Sequence, residues 1–130
     1  SMSDAGYWKH KGAQQKFEAD KSTQRIEYIM SNHGWTKVRD STKQEDMEEK
    51  WDALWLDKSE EEQRVDYKTG IGVQDSHRKL YDKGALKVTR YAMFNKFNRN
   101  TVKLIDAKDF WEGKRDRRVN KHGQVYWVKQ

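Results

Sequence analysis

The sequence predicts an α/β fold, and three observations carry that expectation. A helical period of apolar residues opens the chain, short strand-like runs follow it, and a second helical segment separates those runs from further strands. At 130 residues the chain is the size of one domain around one buried core. No internal repeat and no low-complexity linker divides it.

Each element has its own signal. Residues 1–12 are a polar lead-in carrying Tyr7 and Trp8, whose side chains either pack on the body or stay loose. Over residues 13–32 the positions Ala19, Ile26, Ile29, Met30 and His33 gather on one side at about 100° per residue, which predicts a helix that Gly34 stops. Residues 35–39 read as a first strand and 40–44 as a polar loop. Two central strands follow, one beginning at Asp52 and one ending in Asp66-Tyr67-Lys68-Thr69-Gly70. They are expected to pair as a hairpin around residues 58–62, with Asp52 opposite Asp66 or Lys68. After a loop through Gly70, Gly72 and Val73, Asp75 and Ser76 are placed to cap a helix that runs to about Lys83 and stops at Gly84. Residues 89–97 and 101–105 then predict a hairpin about Asn98-Arg99-Asn100, and residues 107–112 a short helical turn. A last hairpin is expected from 117–119 and 124–128 about Asn120-Lys121-His122-Gly123. The core is therefore assigned to 13–112 and a basic C-terminal hairpin or tail to 113–130.

Composition narrows the functional classes. The absence of cysteine excludes a disulfide framework and a thiolate metal site. No apolar run is long enough for a membrane span or a signal segment, so a cytoplasmic protein with no membrane partner is expected. The net charge of +6 hides an uneven distribution. From Glu45 to Glu62 nine acidic residues face Lys50 and Lys58, whereas from Leu86 to the end twelve basic residues face four acidic ones. DNA is the partner such a chain suits, with carboxylates for a metal and Lys or Arg for phosphates. The candidate backbone contacts are Lys114, Arg115, Arg117, Arg118 and Lys121, with Lys129 beyond them.

The chemistry concentrates on three residues. Asp66 and Lys68 are two apart near a strand end, so they share a face, and a hairpin brings Asp52 to them. Mg2+ or Mn2+ takes oxygen ligands and keeps several waters, so Asp52 and Asp66 can hold it while positions remain for a scissile phosphate and an attacking water. Lys68 supplies fixed positive charge for the developing negative charge. An acid-x-Lys triplet is cheap in a chain that is 37% charged. Glu48-Glu49-Lys50, Asp106-Ala107-Lys108 and Glu112-Gly113-Lys114 are others. Asp106 is the rival, since residues 102–105 also read as a strand.

The order of helix, strand, Asp-bearing strand and Asp-Tyr-Lys-Thr-Gly strand resembles the PD-(D/E)XK nuclease superfamily. The phrase Val65-Asp66-Tyr67-Lys68-Thr69-Gly70 looks like the signature of its RecB-type domains, and the size is similar to a small archaeal or phage Holliday-junction resolvase. The resemblance covers roughly residues 14–110. It implies a restriction-endonuclease-like fold with a central mixed sheet, flanking helices and the site on strands 2 and 3. By position, Asp52 matches the motif Asp, Asp66 the (D/E) and Lys68 the Lys. Trp51 stands where Pro is common, and no Gly precedes Asp52. Members also add a carboxylate from the first helix, for which Glu18 and Glu27 are both candidates on opposite edges of the apolar stripe. RecB-type domains place a Gln and a Tyr on the helix after the Lys strand; Gln74 and Tyr81 are candidates at a wider spacing. A four-way junction is two-fold symmetric and takes two cuts, so the resemblance also implies a homodimer.

Among the remaining residues, Trp35, Trp55 and Phe94 fall in strand-like runs and read as core. Trp111 and Trp127 suit either core or base stacking. His10, His33, His77 and His122 lack metal spacing and read as surface or structural. Two functions follow: a metal-dependent DNA endonuclease, structure-specific on branched DNA, or a catalytically silent nucleic-acid- or protein-binding module of the same fold, such as a phage accessory or anti-defence protein. A third is an unrelated α/β protein whose Asp-Tyr-Lys is only a strand end.

Overall fold

Nothing in the first thirty-two residues breaks a helix. The chain has no proline, and interior glycines such as Gly6 and Gly12 cost only about 1 kcal/mol each. In the computed structural model, which describes residues 4–95, 97, 98 and 100–130 apart from the side chains of residues 4, 5 and 7–9, α1 accordingly spans Asp4–Asn32. The polar lead-in is thus mostly the start of this helix. The fate of the Tyr7 and Trp8 side chains lies outside the described residues. Gly34, at φ +88°, closes α1 in the left-handed conformation. Its N–H donates to the Ser31 carbonyl at 3.1 Å and that of Trp35 to Met30 at 3.2 Å, the paired bonds of a Schellman stop.

Five strands form the main sheet in the order β1 (Thr36–Asp40), β2 (Ala53–Leu56), β3 (Glu62–Thr69), β5 (Arg90–Phe94) and β6 (Val102–Asp106). All neighbours are antiparallel except β3 and β5, which run parallel, so the sheet is mixed. A parallel pair needs a crossover. Here it is β4 (Gly72–Gln74) and α2 (Asp75–Asp82). After β6 come α3 (Ala107–Glu112) and the hairpin β7 (Arg115–Val119) and β8 (Val125–Lys129). β8 pairs with β4 as well as β7, so residues 113–130 are built into a second, three-stranded sheet instead of hanging as a tail. β4 falls in the expected Gly70–Val73 loop; there Gly72 lies so close to Tyr126 that a Cβ would meet the ring at 2.6 Å.

Period-2 alternation sends successive strand residues to two cores. One face packs Ala53, Trp55, Val65, Ala92 and Phe94 under Ile26, Ile29 and Met30 of α1. The other packs Leu54, Tyr91 and Met93 with Val73, Phe110 and Trp111, with Tyr81 and Trp127 at its margin. Trp111, left between core and stacking by sequence, is core at 2% exposure. The helix over residues 75–82 forms where expected but is capped differently. Gln74 holds the N-cap position without a side-chain capping bond, and Asp75 accepts the Trp127 indole N–H at 2.9 Å. Asp106, the rival acid, caps α3 by accepting the Asp109 N–H at 3.0 Å and pairs with Arg90. Its acid-x-Lys triplet is a helix start.

Residues 10–21 of α1 are exposed along their whole length, whereas its last turns carry the buried Ile26, Ile29 and Met30. Two substitutions in one helix should therefore differ sharply. Met30→Ala, at a fully buried position, is expected to cost about 2–5 kcal/mol in denaturant unfolding. Phe17→Ala, at a position 58% exposed, should stay within about 0.5 kcal/mol of the parent.

Candidate functional site

The β2–β3 register builds the site. Ala53 pairs with Val65, and the Asp52 N–H donates to the Val65 carbonyl at 2.8 Å, so Asp52 stands just before β2, across from Asp66. At that point the β2 backbone turns toward β1, where the Asp52 carbonyl accepts the Ser41 N–H at 2.8 Å. The Asp52 side chain takes over the ladder: Oδ2 accepts the Tyr67 backbone N–H at 2.7 Å. A charged acceptor in place of a lost strand partner fixes the carboxylate at the sheet margin. Asp66 and Lys68, two apart on β3, share the face opposite α1, and Lys68 Nζ lies 2.8 Å from Asp66 Oδ2. The amine also donates to Gln74 Oε1 at 2.6 Å. Asp52, Asp66 and Lys68 thus line one cleft of about 310 Å³, together with Gln74, Asp46, Lys50 and His77.

Burial governs the electrostatics. Asp66 is 6% exposed. Desolvation pushes its carboxyl well above the usual carboxylate range; Lys68 opposes the shift, while the charge of Asp52 and hydrogen bonding with it add to it. Oδ2 of Asp66 is fully buried and has Lys68 beside it, but in an orientation that leaves the oxygen without a hydrogen bond. A carboxylate so placed favours either a proton or a cation. Asp52 and Asp66 are hard oxygen donors, and the raised proton affinity of Asp66 together with its unsatisfied oxygen fits a divalent cation with positions left for water. Among the described residues no group of three or more His, Cys, Asp or Glu gathers as a metal cluster. The candidate centre is therefore a two-carboxylate one.

Three residues in or beside the cleft carried no usable sequence signal. Lys50 closes a five-residue π-helix (Glu45–Glu49) in the left-handed conformation at φ 69°, which turns an unremarkable member of an acidic run into the cleft. Trp51, at the position where Pro was expected by resemblance, is fully buried under the Arg39 guanidinium, 5.3 Å from the ring centre. His77, grouped with the surface or structural histidines, is 3% exposed. Desolvation, with Lys68 and Lys50 adding to it, drives its pKa down to about 3, so the ring is neutral near pH 7.

Other candidates lie elsewhere. Glu27 accepts the Tyr67 hydroxyl at 2.9 Å and pairs with Lys37 at 2.7 Å, on the α1 side of β3. Tyr67 alternates with Asp66, so the helix acid that reaches it is on the wrong face for the cleft. Glu18 lies on the exposed stretch of α1 beside Lys21 and Arg25. Gln74 joins the cleft but Tyr81 does not; it stacks on Trp111 with centroids 6.1 Å apart. Arg115 packs 4.8 Å over Phe110 and donates to the carbonyls of Asp109 and Lys114, each at 2.6 Å, which ties its guanidinium to α3. Lys114, Arg117, Arg118 and Lys121 are exposed on or beside the β7–β8 hairpin, with Arg118 3.8 Å from Asp116.

No protein-family model, curated protein or solved structure matches this chain. The site therefore stands on its own geometry. Among the described residues, no helix is long and apolar enough to cross a membrane.

A raised pKa at Asp66 has a definite stability consequence. The folded state holds the proton more tightly than the unfolded chain, so this group favours folding at low pH and disfavours it once pH passes from the ordinary carboxylate range through the raised folded value. Asp66→Asn should raise the melting temperature at pH 8, with the gain shrinking as pH falls. A thermal melt series from pH 4 to pH 8 checks it; a gain that grows on acidification would refute the assignment.

Proposed function

We propose that this chain is a metal-dependent DNA endonuclease with a restriction-endonuclease-like core of the PD-(D/E)XK type. The convergence of Asp52, Asp66 and Lys68 in one cleft is the observation that carries the proposal. The order of α1, three antiparallel strands, a crossover through α2 and a strand parallel to the third supports it.

Asp52 and Asp66 would hold Mg2+ or Mn2+, which when bound polarises a phosphoryl oxygen and lowers the pKa of a water. Asp52 is immobilised by the Tyr67 amide and Asp66 by burial, so both ligands are preorganised. Lys68 is held by Asp66 and Gln74 at the cleft wall, from which its ammonium would turn to a bound phosphate and stabilise the negative charge that develops on it. Lys50 adds a second cation on the rim.

The substrate's path has support in the surface. A polar groove of about 660 Å³ shares Gln74 and Ser76 with the cleft and runs to Asn120, Gln124 and Tyr126 of the β7–β8 hairpin. Lys121 sits in that hairpin's turn, and Arg117 and Arg118 lie on β7. Backbone phosphates are the natural ligands of such exposed cations in a chain of pI about 9.4. A homodimer with two cleavage sites would suit branched DNA.

Two experiments test this. Labelled linear, single-stranded and four-way-junction DNA should be cut with Mg2+ or Mn2+, and Asp66→Ala or Lys68→Ala should each lower the rate by about 10²-fold or more. DNA binding without cutting, unaffected by either substitution, would favour the catalytically silent module instead. Charge removal at Arg117 or Arg118 should weaken binding of all sequences alike and reduce the salt slope by about 1 per residue. A fluorescence-anisotropy titration across salt concentrations measures that slope; an unchanged one would remove the hairpin from the DNA path.

A further inference from the structure

Behind the cleft lies a buried polar chain that the mechanism above does not use. Trp111 of α3, Tyr91 of β5 and His77 of α2 are 2%, 0% and 3% exposed, and their polar atoms are joined. Trp111 Nε1 donates to the Tyr91 hydroxyl at 2.9 Å, and that hydroxyl lies 3.0 Å from His77 Nδ1. His77 Nε2, on the other side of the ring, lies 3.7 Å from Oδ2 of Asp66. The fold sets this line, because Tyr91 is the register partner of Asp66 in the parallel β3–β5 pair.

The chain has a direction. An indole nitrogen only donates, so the Tyr91 oxygen accepts from Trp111. The Tyr91 proton then needs an acceptor, and His77 Nδ1 is the one within reach; with Nδ1 protonated instead, two donors would meet the phenol oxygen and its own buried proton would lack a partner. Nδ1 is therefore the acceptor, and in a neutral ring the proton sits on Nε2, facing Asp66. Packing holds the donor end still: the Trp111 indole meets Phe110 edge-on with centroids 4.7 Å apart and Trp127 at 6.5 Å.

We propose that His77 is a positioning residue, fixed by Trp111 and Tyr91 as the Nε2–H tautomer so that its N–H faces the buried oxygen Oδ2 of Asp66 and takes it over when Lys68 moves away, leaving Oδ1 for a divalent cation. The consequence for the cation rests on the metal centre proposed above. At 3.7 Å the N–H is in reserve while Lys68 lies against the same oxygen at 2.8 Å. When Lys68 turns to a phosphate, His77 is the donor that keeps Asp66 in place. A neutral donor orients the carboxylate without cancelling the negative charge that attracts a cation, which a lysine cannot do.

The test uses the intact chain and two independent readouts. Nitrogen-15 NMR of the histidine rings should show His77 protonated at Nε2, and Tyr91→Phe should shift the proton toward Nδ1. Mn2+ titration by calorimetry should show affinity lowered about 10- to 100-fold in His77→Leu and about 10-fold in Tyr91→Phe, while His77→Gln, whose amide N–H can replace Nε2–H, stays within a few-fold of the parent. A His77 ring protonated at Nδ1 in the parent chain overturns the proposal, as does parental Mn2+ affinity in His77→Leu. An Nε2–H ring in a parent chain that binds no Mn2+ supports the tautomer assignment and overturns the metal centre instead.

Discussion

Everything near the cleft depends on β3 being a central strand buried on both faces. It hydrogen-bonds β2 on one side and β5 on the other, so its backbone direction is fixed and its side chains alternate between two cores without freedom to exchange. Val65 and Tyr67 belong to the core under α1, and Asp66 and Lys68 to the face covered by α2 and α3. A slip of one residue would carry both charged groups beneath α1 and Tyr67 into the cleft. The Trp55–Tyr67–Glu27 hydrogen bonds, each 2.9 Å, resist that slip by tying Tyr67 to β2 and to α1 at once.

The second constraint is where β2 stops. Had its backbone paired with β3 one residue further, Tyr67 N–H would be bonded to a carbonyl and Asp52 would be an ordinary strand residue. Because the chain instead leaves toward β1, a carboxylate replaces a carbonyl in the ladder. One hydrogen bond therefore both terminates the hairpin and preorganises an acid 15 residues distant in sequence from the amide it serves.

The parts legible in the sequence were those set by short-range periodicity. The alternation at Asp66 and Lys68, the hairpin that brings Asp52 to them and the Gly34 stop all follow from residues a few positions apart. What escaped depends on contacts between distant segments. β4 is three residues with no pattern of its own and becomes a strand only because β8, more than fifty residues on, pairs with it. The face taken by Glu27 is decided by how α1 lies on the sheet, and both edges of its apolar stripe looked equivalent from the sequence. His77 could be placed on a helix but not against Tyr91, since that requires knowing that α2 crosses over β5. Lys50 depends on a π-helix, whose five-residue bond leaves no periodic trace in so short a segment.

The cost of this arrangement is itself informative. Elsewhere in the interior the fold uses Val65, Val73, Tyr91 and Met93, all apolar or with their polar atoms satisfied. At Asp66 it buries a carboxylate with an oxygen that receives no hydrogen bond, which is destabilising when charged. Within the cleft, Asp46, Asp52 and Asp66 outnumber Lys50 and Lys68, so the two lysines do not neutralise the acids. A proton on Asp66 relieves the conflict in one way and a divalent cation in another, and the cation also satisfies the second acid. A local conflict of this kind, embedded in a sheet that otherwise packs by rule, supports the metal site proposed above over a strand end that serves stability alone.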